Sequence, residues 1–424
     1  MLVMDSQKIK CSDESFISDD VRMRGFKQRS TVEQLTHWLD QQSIDLAEES
    51  IPIQDAYGRV LAQDIVSDIN IPSFARSMMD GYALIASNTQ GASSYNQLQL
   101  QIIGKSMPGH GTHVKVTPGT AVKIMTGAPV PEGANAILPA ENVDMEEPFI
   151  LVMESVAEGR NIGRIGEDIS LDSIILKQGR SLRPQDIAML ASIGKKDVVV
   201  RRRLKVSIVV TGNEILPVGN KPQQYQITNS NGPMLEALSL RDNATVISST
   251  IVADDPEQIE QAMLDDYDIL LITGGTSVGE EDLVPLLVAK LGELVFHGVT
   301  MRPSRSTGIG VVDKKLVFLL PGNPVACLCA YDFFAGRFIR QRSAKPRNWP
   351  YYSVQKKLKQ KISSHLGRTD YARVRLTKDN TVEPIAISGA AILSSTTEAD
   401  GFIIVQANSE GYAAGTDVNV FLYD

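Results

Sequence analysis

Residues 205–212 read KVSIVVTG, and at this stretch the pattern of the sequence changes. No charged residue interrupts positions 206–212, and apolar residues do not alternate with polar ones as they do in a half-exposed strand. An uninterrupted apolar run of this length is typical of a strand buried on both faces, as strands of parallel sheets are. We therefore expect a parallel sheet to begin here.

The residues that follow continue the pattern as alternating strand-like and helix-like runs. The strand-like runs are ATVISSTIV, YDILLITGG, ELVFHGVTM and KLVFLLPG. The helix-like runs are NGPMLEALSL, EQIEQAML, LVPLLVAKL and PVACLCAYDFFAGRFI. Strands that alternate with helices in this way indicate an α/β domain, residues 201–345, with a doubly wound, mostly parallel sheet.

Shorter patterns flank this α/β domain on both sides. Residues 71–157 read as short strands broken by glycine and proline, so we expect a small β domain there. Residues 346–424 return to the same pattern and predict a C-terminal β domain. The fold class is therefore multidomain α/β plus β.

The remaining segments are expected to link these domains or to extend from them. Residues 29–70 plus 158–200 are assigned to a linker and dimerisation domain, in which the capping box Ser30-Thr-Val-Glu33 opens a helix. Residues 1–28 are polar and aperiodic, which predicts a disordered extension.

Composition excludes several classes of protein. The formal charge of −8 and the pI near 5.3 argue against a general nucleic-acid binder, whose surface would be basic. No apolar run approaches the roughly 20 residues that span a bilayer, and the N-terminus lacks the apolar core of a signal peptide. Three cysteines are too few for a disulfide framework. We expect a cytoplasmic protein with no nucleic-acid and no membrane partner.

Polar residues and glycines follow each expected strand of the α/β domain. Ligands of open α/β sheets bind beyond the carboxyl ends of the strands. The segments at these ends are Thr211-Gly-Asn-Glu214, Asp254-Asp255, Thr273-Gly-Gly-Thr-Ser-Val-Gly-Glu-Glu-Asp282, Met301-Arg-Pro-Ser-Arg305 and Pro321-Gly-Asn323. Carboxylates, glycines and two arginines therefore fall on one edge of the sheet.

Each of these features alone also has a structural explanation. Thr-Gly and Pro-Gly-Asn-Pro are turn sequences, Asp255 can cap a helix, and arginines are usually solvated. Together they indicate an anion site, because glycine turns expose backbone N–H groups and Arg302 and Arg305 add positive charge. Hard oxygen ligands for Mg²⁺ are offered by Glu214, Asp254 and Asp282. The combination predicts a site for a phosphorylated ligand.

A further carboxylate lies in the small β domain, in the stretch SFARSMMDGYALIA of residues 73–86. Asp80 follows two methionines and precedes Gly81. Asp-Gly is a common turn dipeptide, so the local sequence favours a turn. The alternative is that this carboxylate has a chemical role.

Ten stretches of the chain are informative as an ordered set: SMMDGYAL, VKIMTGAPVPEGANAILPAE, RIGEDI, SLRPQDIAMLASIG, VVTGNEI, TNSNGPML, DDPEQI, LLITGGTSVGEEDLV, FLLPGNPVA and LSSTTEADGFIIV. In these stretches and their order the chain resembles the molybdopterin molybdenumtransferases, which are the bacterial MoeA type and the E domain of gephyrin. The resemblance covers about residue 26 to the end, with all four domains of the family.

The resemblance implies a central domain of the molybdopterin-binding type, a C-terminal β-barrel-like domain and a homodimer whose active site is shared between subunits. It also implies that molybdate is inserted into adenylylated molybdopterin while Mg²⁺-dependent cleavage of the phosphoanhydride releases AMP. Transient contact with other cofactor-biosynthesis proteins would accompany this activity.

The resemblance also assigns roles to residues. The catalytic residues it implies are Asp80, Thr126, Asp168, Glu214 and Asp282. The substrate-binding residues are Thr211, Gly274, Gly275, Ser277, Arg302, Arg305, Pro321, Gly322 and Asn323. The metal ligands are Glu214, Asp254, Asp255 and Asp282. Asp80 and Thr126 would face the active cleft from the small β domain, which favours the chemical role for Asp80.

The sequence departs from the family at two anion contacts. The family usually has Pro-Gly-Lys-Pro after the fourth strand, where this chain has Pro303-Ser-Arg-Ser306, and arginine offers a planar fork where lysine offers a point charge. Ala326 stands where the family has a serine hydroxyl. Both departures bear on how molybdate would be bound.

Two other functions compete with this assignment. A molybdopterin adenylyltransferase would use a similar central domain, but it would leave Asp80 and Thr126 without a role. A non-catalytic molybdopterin-binding scaffold would explain Ser304 and Ala326, but it would not explain the presence of Asp80, Glu214 and Asp282.

Overall fold

The computed structural model describes residues 29–277, 279, 282–346, 349–386 and 389–423. The expected disordered extension, residues 1–28, lies outside the described residues. Contacts divide the chain into two compact units. The first comprises Gly58–Val60, Arg201–Asp424 and the described residues up to Glu49, and the second comprises Ser50–Tyr57 and Leu61–Val200.

Eight α-helices occur in the described residues. They are α1 (Val32–Gln41), α2 (Pro184–Ser192), α3 (Asn231–Arg241), α4 (Pro256–Leu264), α5 (Val284–Leu291), α6 (Pro324–Ala330), α7 (Gly336–Arg342) and α8 (Ser394–Thr397). A π-helical segment, Tyr331–Ala335, joins α6 to α7, so the expected long apolar helix is continuous but changes its winding.

The central sheet of the first unit has six strands. They are β1 (Lys205–Thr211), β2 (Thr245–Val252), β3 (Ile269–Thr273), β4 (Gly292–His297), β5 (Gly308–Val312) and β6 (Lys315–Leu320). The order across the sheet is β2-β1-β3-β6-β5-β4, and the first four strands are parallel. β5 is antiparallel to both of its neighbours. The doubly wound, mostly parallel sheet expected from the sequence is confirmed, and β1 is buried from Val206 to its end.

The sequence analysis missed β5 and made β4 too long. The expected strand ELVFHGVTM ends at His297, and Met301–Arg302 pair instead with Thr369 and Asp370 of the C-terminal sheet. The strand β5 was missed because it contains glycines, which are rare inside strands. A Cβ on Gly310 would lie 2.3 Å from a methyl carbon of Val288, so glycine is required where α5 crosses this strand.

Helix α1 packs with the central sheet. Its buried residues Val32, Leu35 and Leu39 belong to the hydrophobic core that contains β1 and β3. The capping box is formed by Thr31 and Gln34, one position after the expected pair.

The C-terminal strands close into a barrel. Five strands pair in a ring, in the order Thr369–Leu376, Thr381–Ala386, Tyr352–Leu358, Asp417–Leu422 and Gly401–Val405, and the last pairs again with the first. The expected β-barrel-like domain is therefore confirmed. Two shorter pairs also lie in the first unit: Ile362–Ser363 with Gly411–Tyr412, and Ile215–Leu216 with Ile227–Thr228.

The second unit is built mainly of β-strands, with α2 as its helix. Its largest sheet has the order Ala136–Pro139, Gly81–Leu84, Thr120–Ile124, Leu98–Ser106, Phe149–Val152 and Val143–Glu146. Shorter pairs join Arg76–Ser77 to Ile162–Gly163 and Ile65–Val66 to Ile174–Leu176. Three further strands include residues assigned to both units: Glu48–Pro52, Val60–Leu61 and Asp197–Arg201.

Over the described ranges, none of the helices is both long enough and apolar enough to cross a lipid bilayer.

Candidate functional site

Asp80 and Thr126 are brought together by strand pairing in the second unit. Gly81 is paired with Ile124 in antiparallel strands, so Asp80 precedes one strand where Thr126 follows the other. The backbone N–H of Thr126 donates to Asp80 Oδ1 at 2.7 Å, and the Thr126 hydroxyl donates to the same oxygen at 2.8 Å. These two hydrogen bonds lower the pKa of the exposed Asp80 carboxyl, which is therefore a fixed anion whose Oδ2 is left for a ligand.

The glycine after Asp80 serves packing rather than a turn. Gly81 begins a central strand, and a Cβ there would lie 2.0 Å from the carbonyl oxygen of Leu138 on the neighbouring strand. The turn favoured by the local Asp-Gly sequence is therefore not what explains this position. Asp168, the other expected catalytic residue of this unit, is exposed, and its backbone N–H donates to the carbonyl of Ile71 at 3.1 Å.

In the first unit, glycines form a cradle at the carboxyl ends of β1, β3 and β6. Gly274 has a φ of +97°, and a Cβ there would lie 2.1 Å from the Thr211 carbonyl oxygen, so no other residue fits. A Cβ on Gly322 would contact Gly274 Cα at 3.6 Å. Thr211 is buried, and its hydroxyl has no partner among the described residues. The cradle therefore offers backbone groups and one unused hydroxyl to a ligand.

Asn231, at the start of α3, holds this cradle together, and the sequence analysis gave it no role. Its amide nitrogen donates to Thr273 Oγ1 at 3.0 Å and to the Gly322 carbonyl at 2.8 Å. The Thr273 hydroxyl donates in turn to the carbonyl of Pro321 at 2.9 Å. Asn231 is 6% exposed, and its Oδ1 has no partner within the described part of the chain. The TNSNGPML motif is the sequence signal that could have identified it.

The remaining expected substrate-binding residues lie on the same edge. Ser277 and Gly275 follow β3, and Gly275 has a φ of +55°. Asn323 precedes α6 as its N-cap residue, yet its exposed side chain makes no capping hydrogen bond. Its amide is therefore free to bind a ligand.

The carboxylates after β1 and β2 lie on neighbouring turns. Asn213 and Asp254 exchange hydrogen bonds, N–H to Oδ2 at 3.2 Å in one direction and N–H to Oδ1 at 3.3 Å in the other. This pair brings the exposed Glu214 close to the turn after β2. Asp255 Oδ1 accepts a hydrogen bond from the backbone N–H of Gln258 at 3.0 Å, so this residue caps α4, as its position before Pro256 predicts.

Asp282 lies half-buried in the segment after β3, where its carboxylate accepts from the backbone N–H of Gly279. His297, at the end of β4, donates from Nε2 to the carbonyl of Thr276 in the same segment at 3.0 Å. Burial lowers the pKa of His297, against the opposing effects of that carbonyl and of the Asp282 charge. His297 is a second residue of this edge that the sequence analysis missed.

The two arginines expected to bind anions differ in whether a carboxylate pairs with them. The Arg302 guanidinium donates to Asp370 Oδ2 at 2.7 Å, and Asp370 is fully buried and also binds Arg368. Arg302 is therefore neutralised by the C-terminal sheet rather than free, because its short strand pairs with that sheet. Arg305 is exposed, and no described residue pairs with its guanidinium.

The two departures from the family pattern contact each other. Ser304 has a φ of +86°, in the left-handed region that favours glycine, the residue found there in the Pro-Gly-Lys-Pro pattern. Its hydroxyl donates to the carbonyl of Ala326 at 2.5 Å, and Thr307 donates to the Ser304 carbonyl at 2.8 Å. These bonds stabilise an otherwise strained backbone.

Within the ranges that the structure describes, no three His, Cys, Asp or Glu side chains are grouped closely enough to hold a metal ion. Mg²⁺ usually binds through one or two carboxylates together with substrate phosphates and water. The exposed Glu214 and the half-buried Asp254, on neighbouring turns, fit that mode of binding, in which the ion arrives with the substrate.

Comparisons with known proteins agree with this architecture. Three family models match in order: MoeA N-terminal region (domain I and II) over residues 29–194, probable molybdopterin binding domain over 207–341, and MoeA C-terminal region (domain IV) over 355–423.

Similar proteins match along most of the chain. A putative molybdopterin biosynthesis protein of Methanocaldococcus jannaschii is 36% identical over 403 residues, which is 92% of this chain and 95% of that protein. The molybdopterin molybdenumtransferase of Haemophilus influenzae is 30% identical over 90% of this chain and 95% of its own. The crystal structure of the molybdopterin biosynthesis MoeA protein of Pyrococcus horikoshii has a TM-score of 0.79 and 32% identity, and the match covers 93% of this chain and all of that one.

Proposed function

This chain belongs to the MoeA family of molybdopterin molybdenumtransferases, transferases of molybdenum cofactor biosynthesis, and from that premise we propose its reaction. It inserts molybdate into adenylylated molybdopterin, and the phosphoanhydride of the substrate is cleaved to release AMP. The observation that carries the proposal is the edge of the central sheet, where the glycine cradle, three carboxylates and Arg305 follow the carboxyl ends of the strands.

The residues of this edge would bind the substrate through its anionic groups. Backbone N–H groups of the cradle and the unpaired guanidinium of Arg305 would contact phosphate or molybdate oxygens. The two buried atoms without partners, Thr211 Oγ1 and Asn231 Oδ1, would bond to polar groups of the ligand, which would explain why the chain leaves them unsatisfied.

Mg²⁺ would be held by one or two of the carboxylates Glu214, Asp254 and Asp282 together with the substrate phosphates, and when bound it would offset the negative charge of those phosphates. Asp255 contributes through its helix cap, which fixes the turn that carries Asp254. Asp282 would orient and accept a proton from the attacking water.

Asp80 and Thr126 would complete the site of a partner subunit in a homodimer. The hydrogen bonds from Thr126 keep Asp80 ionised and fix one of its oxygens, so the other would accept a proton or orient molybdate. The two-fold symmetry of a dimer would repeat this arrangement twice. Asp168 would contribute a further carboxylate from the same unit.

Hybrid dimers test this shared site. Homodimers of Asp80→Asn and of Asp282→Asn should both be inactive, but refolding them together makes about half of the dimers hybrid under random pairing. Each hybrid has one site with both substitutions and one with neither, so activity should return to about a quarter of the wild-type value. Hybrids that form but stay inactive would contradict sharing of the site between subunits.

The reaction itself is tested with adenylylated molybdopterin, Mg²⁺ and molybdate. We expect AMP and a cofactor that activates an apo-molybdoenzyme. Formation of adenylylated molybdopterin from ATP would indicate an adenylyltransferase instead, and tight binding of substrate without AMP release would indicate a scaffold.

We also propose the cytoplasm as the site of this reaction, since Cys327 and Cys329 are free, buried thiols that suit a reducing compartment.

A further inference from the structure

Five arginines line a small depression in the first unit, at the amino ends of the central strands: Arg59, Arg201, Arg202, Arg203 and Arg342. Residues 201–203 end two positions before β1, and Asn243, which also lines the depression, lies two positions before β2. We call this group the arginine pocket. It is separated from the glycine cradle by the length of β1, about 20 Å for a seven-residue strand.

Carboxylates neutralise only part of this positive charge. Glu49 forms an ion pair with Arg59, and Asp268 binds Arg202 through two hydrogen bonds of 2.5 and 2.8 Å. Among the described residues, no carboxylate forms an ion pair with Arg201 or Arg203. Two of the lining guanidinium groups are therefore available to an external anion.

The arrangement brings like charges close together. Arg59 is 8% exposed and its guanidinium also donates to the carbonyl of Arg201 at 3.0 Å, which fixes it beside the 201–203 segment. Desolvation, and next the positive charge of Arg59, lower the pKa of Arg203. Repulsion of this kind costs free energy, and a bound anion would relieve it. In a chain with a net charge of −8, composition does not account for such a cluster.

We propose that the arginine pocket binds a small tetrahedral oxoanion, of the class of a phosphate group. Guanidinium groups match such anions because their planar fork donates two parallel hydrogen bonds. The enclosed space is about 10 Å³, the size of one water molecule. The anion therefore lies at the mouth of the pocket, between the guanidinium groups of Arg201 and Arg203.

Binding at the mouth links segments that are far apart in the sequence. The pocket is lined by the turn that carries Arg59, by residues 201–203 and by the end of α7 at Arg342. An anion held among them stabilises the folded first unit, because it binds the folded chain and not the unfolded one. Phosphate should therefore raise the midpoint of unfolding of this unit.

The experiment compares unfolding with and without inorganic phosphate, at an ionic strength kept equal with sodium chloride. Because the glycine cradle can also bind phosphate, two variants separate the sites: Arg201→Gln/Arg203→Gln in the pocket, and Arg305→Gln at the cradle edge. We expect most of the phosphate-dependent increase to persist in Arg305→Gln and the increase in the double variant to be clearly smaller than that of the wild type. An increase in the double variant equal to that of the wild type, or an increase that is lost in Arg305→Gln alone, would overturn the proposal.

A single substitution and a second ligand complete the test. Arg203→Gln is expected to fold, because its guanidinium makes no hydrogen bond with a described residue, and to weaken phosphate binding about tenfold in isothermal titration calorimetry. Wild-type affinity in this variant would contradict the proposal even if the double variant did not fold.

A comparison of phosphate with AMP distinguishes the source of the anion. Tighter binding of AMP than of phosphate, sensitive to Arg203→Gln, would identify a nucleotide phosphate, and the reverse order would identify a free oxoanion.

Discussion

Two asparagines at the same edge of the central sheet should respond to substitution in opposite ways. Asn231 is buried and donates two hydrogen bonds that join the turns after β3 and β6. Asn323 is exposed and makes no capping hydrogen bond. We expect Asn231→Ala to destabilise the first unit and Asn323→Ala to weaken substrate binding while leaving stability nearly unchanged.

The magnitude follows from the bonds that are lost. Each hydrogen bond contributes about 1 kcal/mol, and the substitution also leaves a small void among buried neighbours. The free energy of unfolding should therefore fall by about 2–3 kcal/mol in Asn231→Ala. For Asn323→Ala the change should stay within about 0.5 kcal/mol, as for surface residues without partners.

Urea unfolding followed by tryptophan fluorescence measures this difference, because both tryptophans of the chain report on the first unit. Trp38 packs edge-on against Phe296 with ring centroids 5.8 Å apart, and Trp349 packs against Phe333 at 4.6 Å. Equal stability of Asn231→Ala and the wild type would refute the role given to this residue. A loss of stability in Asn323→Ala similar to that of Asn231→Ala would refute the contrast between them.

Two further predictions concern the charged residues. Arg305→Ala should raise the dissociation constant for adenylylated molybdopterin about 10- to 100-fold, with little change in stability. Arg302→Ala should instead destabilise the fold, because buried Asp370 loses a charged partner. Equilibrium binding and urea unfolding measure the two effects, and the opposite pattern would contradict the roles given to these arginines. The pKa of Asp80 is lower in the folded protein than in the unfolded chain. Ionised Asp80 therefore contributes stability that is present above the pKa of the unfolded chain and is lost as the pH falls through the pKa of the folded protein. Thr126→Val should raise this pKa in a carbon-13 NMR titration, and an unshifted titration would contradict the hydroxyl's role.

The architecture of the central domain could be predicted because its signals are local. Continuous apolar runs such as KVSIVVTG mark β1, β3 and β6, and α4 begins at Pro256 directly after its capping residue Asp255. The error in predicting the strands, the missed β5, has a physical cause as well. Gly308 and Gly310 made β5 look like a loop, although glycine is needed at position 310 for the close approach of α5.

The site could be predicted less completely, because its contacts join distant parts of the chain. The sequence indicated which residues follow the strands, but not that Asp370 would neutralise Arg302 from 68 positions away. The TNSNGPML motif contains Asn231, but nothing in the sequence indicates that its partners are Thr273 and Gly322, which lie far along the chain. Tertiary hydrogen bonds of this kind leave no periodic pattern in a single sequence.

Release of AMP from adenylylated molybdopterin is the measurement that tests the proposed function most directly. With Mg²⁺ and molybdate, we expect the wild-type protein to release one AMP for each cofactor formed, and the Asp282→Asn variant, with an unchanged melting transition, to release none. A wild-type protein that binds the substrate but releases no AMP, or an Asp282→Asn variant with normal turnover, would contradict the proposal.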